Sequence, residues 1–256
     1  VSEWLALVLI ILATCGAVFL FAVVRQRRAG ATEDPSETPD VIEYMTMMLG
    51  VVYAIVLGLA IAGVWEARGS AEDWVRQEAQ ALHEMDVRAG VFPPDVRDGI
   101  RADINGYVDY VLEDEWPLLV DHGELGAEGD VLLRELREVI TGREPTTVRE
   151  TESYQGLIDQ LARVDEARVG RAQSAEPTMP LAVWIGLVSG AVAVIGMVFV
   201  LQIRRSGREL LLAGMFTAMI AFLLFLVYHF DAPYSRGLSD VTESYTRHFP
   251  EAGGDS

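Results

Sequence analysis

Glu66 and Asp73 stand one heptad apart, and Met48, Val52, Ile55 and Leu59 precede them. At about 100° per residue in a helix, these side chains leave the axis within about 40° of the direction of Met48. Carboxylates placed beyond an apolar stripe suit ion handling better than bond-making chemistry. If several copies surrounded an axis, the apolar positions would form a narrow neck able to gate by dewetting, and Glu66 and Asp73 would form acidic rings that concentrate cations. Asp40 and Glu43 would do the same at the inner mouth. The alternative on periodicity alone is an apolar face against lipid or another helix, with the acids on a solvated face.

Signatures of catalysis are missing. The sequence holds no phosphate-binding loop, no G-x-S-x-G elbow and no H-E-x-x-H pair; HEMDV at His83 stops short of a second histidine. The four histidines, His83, His122, His229 and His248, are scattered, so no metal centre and no cofactor is expected. The lone cysteine, Cys15, lies in an apolar run and can form no intramolecular disulfide. An enzyme is therefore not expected. A net charge of -18 also offers no basic surface for nucleic acid.

The elements that must position the acidic face are membrane spans. The chain is 51% hydrophobic yet 23% charged, so the two kinds of residue must be segregated. Four segments of 21 to 23 residues contain no Asp, Glu, Lys or Arg: Trp4 to Val24, Met45 to Trp65, Leu181 to Ile203 and Leu210 to Phe230. Roughly 20 helical residues cover a hydrocarbon core of about 30 Å, so all four should span. In the first of them the arginines follow the apolar run, which reads as a retained helix within 1–24 rather than a cleaved signal. All basic residues are arginine, a usage that points to a high-GC or high-salt prokaryotic source.

Arginine placement sets the expected orientation. The loop 25–44 carries Arg25, Arg27 and Arg28, and the loop 204–209 carries Arg204, Arg205 and Arg208. Arginines are retained on the cytoplasmic side, so both loops should be cytoplasmic in a plasma membrane. The spans then form two hairpins, with 66–180 and the tail 231–256 outside the cytoplasm. The expected fold is an all-α integral membrane protein with a large helical extracytoplasmic insert between spans 2 and 3.

That insert holds 12 Arg against 26 Asp plus Glu, a net -14. Its apolar residues recur at helical spacing: Val96, Ile100, Ile104, Tyr107 and Val111; Leu132, Leu133, Leu136, Val139 and Ile140; Tyr154, Leu157, Ile158, Leu161 and Val164. FPPD at 92–95 and TGREPTT at 141–147 interrupt the pattern, leaving about four helices. Span 2 (45–65) has no breaker at its outer end and should continue as one helix from about Val41 to Ala89. The last soluble helix should cover Thr147 to Ala175, with Pro180 opening span 3 (181–203) and span 4 covering 210–230. Small residues mark close helix approach in lipid: Gly50, Ala54, Gly58 and Ala62 in span 2, Gly186 and Gly190 in span 3. Packing within one bundle and contact between copies fit them equally.

Two spans, a helical insert and two more spans resemble the bestrophin-like family of bacterial membrane proteins. Residues that carry the likeness are Trp65 and Glu66 after Val64; the E-W-P element Glu115, Trp116 and Pro117; Arg168 and Arg171, followed by Pro180 and Trp184; and Asp231, Pro233, Tyr234 and Gly237 closing span 4. Arg236 is one residue more than the pattern has before that last glycine. The resemblance implies a homo-oligomeric ion channel, pentameric in true bestrophins, with its pore lined by the second span. It also implies anion selectivity and a cytosolic helical region. The arginine loops ask for the opposite orientation, and a mouth edged by Glu66, Asp73 and a -14 domain would repel anions.

The expected function is thus a homo-oligomeric, cation-favouring channel with lipid and inorganic ions as partners. Alternatives are an anion channel and a non-conducting extracytoplasmic sensor or scaffold. Within the insert, Trp116 before Pro117 should end or kink a helix with its indole packed inward. Arg168 and Arg171 are expected either to pair with Glu66 of a neighbouring copy or to lie on a solvated face. Asp231 and Pro233 should shape an interfacial turn.

Overall fold

The computed structural model describes residues 40–201, 207–236 and 243–250. The expected first span, Arg25, Arg27 and Arg28, residues 202–206 of the second arginine loop, Gly237 and the end of the tail lie outside the described residues. Among the described residues there are nine α-helices, one π-helical turn and no strand. Chain contacts divide the protein into two units, Val1–Trp65 with Met179–His229, and Glu66–Thr178 with Phe230–Ser256.

Helix α1 runs unbroken over 50 residues, Asp40–Ala89, close to the expected Val41–Ala89. Gly69 and Ser70 do not interrupt it; an interior glycine costs only about 1 kcal/mol against alanine, which burial of the surrounding seam offsets. In the first unit its companions are α6, Leu181–Leu201, and α7, Gly207–Phe230. All three helices are long and apolar enough to cross a bilayer. The α1 face that packs there is Tyr53, Leu57, Ala60 and Val64; α6 buries Leu187, Ala191 and Val194, and α7 buries Ala213, Thr217, Ile220 and Val227. Tyr53 lies flat against Gly190, where an added Cβ would come within 2.7 Å of the ring. Gly190 therefore serves packing inside one chain. The buried Thr217 hydroxyl donates to the Ala213 carbonyl one turn back, at 2.8 Å.

The second unit is a helical bundle. It contains the rest of α1, then α2 (Pro94–Tyr110), a π-helical turn (Val111–Glu115), α3 (Trp116–His122), α4 (Ala127–Thr141) and α5 (Val148–Ala175). Pro93 and Pro94 start α2 where a proline costs no hydrogen bond. Gly123 closes α3 in the left-handed conformation (φ 72°). Thr147 caps α5 by accepting from the Glu150 amide at 3.1 Å, while the Glu150 carboxylate accepts from the Thr146 amide and hydroxyl at 2.8 Å. The helix limits expected at 92–95 and 141–147 are thus realised by recognisable caps.

Each of the three long helices buries a seam with alternating spacings of three and four. On α1 it is Ala71, Val75, Glu78, Leu82, Met85 and Ala89; on α2, running on into the π turn, it is Ile100, Ile104, Tyr107 and Val111; on α5 it is Leu157, Leu161, Val164, Arg168 and Arg171. Such spacing keeps one stripe facing a partner. α5 approaches closely enough that a Cβ at Gly170 would fall 2.4 Å from the Trp74 indole. Residues beyond span 4 belong to this core as well. The short helices α8 (Pro233–Arg236) and α9 (Glu243–His248) bring in Tyr234, Tyr245 and Phe249, all buried, so this part of the expected tail is a packed component of the bundle.

Candidate functional site

The face of α1 proposed to line a pore is left open. Met48, Val52, Ile55 and Leu59 are 57–71% exposed, although all are apolar. Tyr53, Leu57, Ala60 and Val64, the buried residues of the same turns, point about 120–180° away around the helix. Among the described residues nothing covers the Met48–Leu59 side. Glu66 and Asp73 continue it and are exposed; Asp73 accepts a hydrogen bond from Arg76 at 2.5 Å, one turn on. Asp40 and Glu43 occupy the first turn of α1, and their side chains lie outside the described residues.

Small residues divide between two roles. Ala54, Gly58 and Ala62 are exposed, and space around Gly50, Gly58 and Gly186 is open where a Cβ would stand. Only Gly190 of the six is packed against a described neighbour. Trp65, ending the apolar run of α1, is 59% exposed.

The family-pattern residues of the insert converge somewhere else, in the core of the second unit. Glu78, Glu115 and Arg171 are fully buried and Arg168 is 3% exposed. Arg171 Nη2 donates to Glu115 Oε1 at 2.6 Å and to Glu78 Oε1 at 3.2 Å, and its Nε stands 3.0 Å from Glu78 Oε2 without hydrogen-bond alignment. Arg168 Nη1 donates to both Glu115 oxygens at 2.7 and 2.5 Å, Nη2 to the Gly126 carbonyl at 2.8 Å, and Nε to Asp130 at 3.2 Å. Tyr107 donates to Glu78 Oε1 at 2.6 Å. Two carboxylates and two guanidiniums so form one neutral layer joining α1, the π turn and α5.

Burial alone would lower the Arg171 guanidinium; the Glu78 carboxylate leads the groups that outweigh it, holding the group well above the usual arginine range. Burial first, and the Glu78 charge second, push the Tyr107 and Tyr245 hydroxyls well above a normal phenol. Both tyrosines consequently stay neutral beside the paired charges, and Tyr107 is a donor to Glu78.

This arrangement corrects the expected placement of Arg168 and Arg171. Neither reaches a solvated face or has room for a carboxylate of another copy: the seam of α5 carries both inward, and Glu78 and Glu115 meet them there. Trp116 does pack inward, but Pro117 does not end the helix. Residues 94–122 stay helical through a π turn in which the Trp116 amide donates to the Val111 carbonyl, five residues back. A proline ring collides with the carbonyl four residues before it, and the widened turn relieves that collision. It also places Glu115 on the buried side.

Asp231, Pro233 and Tyr234 are buried where the chain bends between α7 and α8. Tyr234 donates to the Ala71 carbonyl at 2.9 Å and meets the Trp116 ring edge-on at 5.6 Å; the Asp231 carbonyl accepts from the Thr178 amide at 3.1 Å. The two sequence elements, E-W-P and D-x-P-Y, are in contact. Glu78, Tyr107 and Tyr245 were missed by sequence reasoning. Glu78 had a signal: it is a carboxylate on the Ala71–Ala89 seam, where an unpaired charge would be prohibitive.

Long apolar helices with an open apolar face, joined in sequence to an acidic helical bundle, define a helical membrane protein. The model of the bestrophin-like domain matches residues 7–244, and the chain belongs to the bestrophin-like family. Its fold is shared with solved structures of point variants of a bacterial bestrophin homologue from Klebsiella pneumoniae. One has a TM-score of 0.68 at 12% identity over 100% of both chains, another 0.66 at 12% identity over 98% of both. A variant described as a membrane protein has a TM-score of 0.66 at 13% identity over 100% of both chains. No curated protein matches the sequence.

Proposed function

We propose that this chain forms a homo-oligomeric ion channel whose pore is lined by the N-terminal half of α1. The observation that carries the reading is the open Met48–Val52–Ile55–Leu59 face, exposed on an apolar helix whose opposite side is packed. Rings of these residues form the neck. Glu66 and Asp73 edge one mouth, Asp40 and Glu43 the other, and the carboxylates favour cations over anions. Part of the Asp73 charge is offset by Arg76, so Glu66 carries most of the selectivity at its end.

In this reading the chain has four spans in two hairpins, in a prokaryotic plasma membrane. The arginine loops face the cytoplasm and the acidic bundle lies outside, as retention of arginine requires. The stripe of Gly50, Ala54, Gly58 and Ala62, exposed at its last three positions, lets adjacent copies of α1 approach. Family membership and shared fold support a ring, with five copies the expected number. Native mass measurement and particle imaging in detergent should give a ring of identical subunits; a monomer would leave the Met48–Leu59 face without an axis and remove the pore.

A further inference from the structure

The four histidines are scattered in sequence, yet two of them meet. His83 of α1 and His248 of α9 stack with ring centroids 4.6 Å apart and planes 28° from parallel, and Phe249 meets His83 edge-on at 6.5 Å. Helix α9 has six residues, far too few to persist in water by itself. It is held by what it buries: Tyr245 and Phe249 in the core, and the imidazole stack at its end. In stacked rings the nitrogen lone pairs run nearly side by side instead of converging, which suits a stack of neutral rings better than a shared metal ion.

We propose that the His83–His248 stack is a proton-sensitive latch, closed while the His248 ring is neutral and opened when that ring takes up a proton, releasing α9 from α1. The groups acting on His248 agree in sign. Burial lowers its pKa most, His83 across the stack lowers it next, and Arg247 on its own helix lowers it further. On α1, Glu84 is engaged by Arg88 at 3.6 Å and Asp86 by Arg101 at 3.0 Å. A group with a lowered pKa in the docked state binds fewer protons there than when released. Docking is therefore strongest above the ordinary histidine value of about 6.5 and is lost as pH falls from there through the lowered docked value.

Opening the latch reaches the buried charge layer. Tyr245, three residues before His248, lies beside the Glu78 charge in the core, and its hydroxyl has no aligned hydrogen-bond partner. Withdrawal of α9 uncovers Glu78 and Arg171 on that side. The device stands independently of whether the spans conduct.

Hydrogen exchange on the full-length chain in lipid nanodiscs tests the latch. Protection factors of the amides in 245–250 are compared with those of Leu157–Val164 on α5 at about pH 8 and about pH 5. Wild-type protection of α9 should fall about tenfold or more relative to α5 as the docked His248 ring is protonated and released. His83→Phe with His248→Phe keeps two stacked rings without charge and should hold α9 protected at both pH values; His248→Phe alone should flatten most of the drop, and His83→Gln alone only part of it. Wild-type protection of α9 that does not change with pH, or an equal loss in the double Phe variant, would overturn the proposal.

Discussion

Replacing Arg171 by methionine should cost about 3–5 kcal/mol of stability, the largest loss expected from any single conservative change in the bundle. The methionine fills much of the space but leaves Glu78 and Glu115 facing one another at zero exposure, with only Arg168 to neutralise them. Urea unfolding followed by tryptophan fluorescence measures this, because Trp74 and Trp116 both belong to the affected unit. Arg76→Met is the matched control: its partner Asp73 is as exposed as it is, both at 60%, and such pairs contribute about 0–1 kcal/mol. Removing Glu78 and Arg171 together, as methionines, leaves Glu115 paired with Arg168 and should restore a large part of the loss. A double-mutant cycle with no coupling between Glu78 and Arg171 would refute the neutral layer.

The second large effect is expected at the neck. Ile55→Ser or Leu59→Ser replaces an apolar ring by hydroxyls in every subunit. Each removed side chain had disfavoured water by about 1.5–3 kcal/mol, and a barrier lowered by even about 1.4 kcal/mol raises passage tenfold. Ion flux into liposomes should therefore rise by about tenfold or more. Leu57→Ser, two residues from Ile55 on the packed side of α1, should destabilise the protein without raising flux. Equal effects from Ile55 and Leu57 would remove the distinction between a lining face and a packed face on which the neck depends.

Much of the architecture was legible in the sequence, for physical reasons that can be named. The length of α1 followed from continuous helix formers across Trp65, and the α5 limits from a capping threonine and a loop rich in Thr, Pro and Gly. The long helices α6 and α7 were marked by uncharged apolar runs. The buried charges were harder because composition suggests that Glu and Arg stay wet. Yet the seam that was read through Leu157, Leu161 and Val164 reaches Arg168 and Arg171 if carried two more steps, and the Ile100–Ile104–Tyr107–Val111 seam reaches Glu115 one step on. Extending a periodic stripe through charged residues, instead of stopping at them, would have placed the layer. The pairing of His83 with His248 joins positions 165 residues apart and left no local trace, as did the packing of Tyr234 on Trp116.

The arrangement also shows why a highly acidic bundle can be stable. Among the described residues the buried Glu78 and Glu115 are matched by the buried Arg168 and Arg171, while pairs such as Arg101–Asp86 and Arg137–Asp165 lie on its surface. The remaining negative charge is solvent-facing, where mutual repulsion is screened within about 10 Å at ordinary ionic strength.

The most direct measurement is the reversal potential of the reconstituted protein across a bilayer with unequal potassium chloride on the two sides. The account predicts a current that reverses close to the potassium equilibrium potential, and a shift toward zero when Glu66 is replaced by glutamine. Reversal on the chloride side, or no current in any salt from a preparation whose bundle is folded, would contradict it.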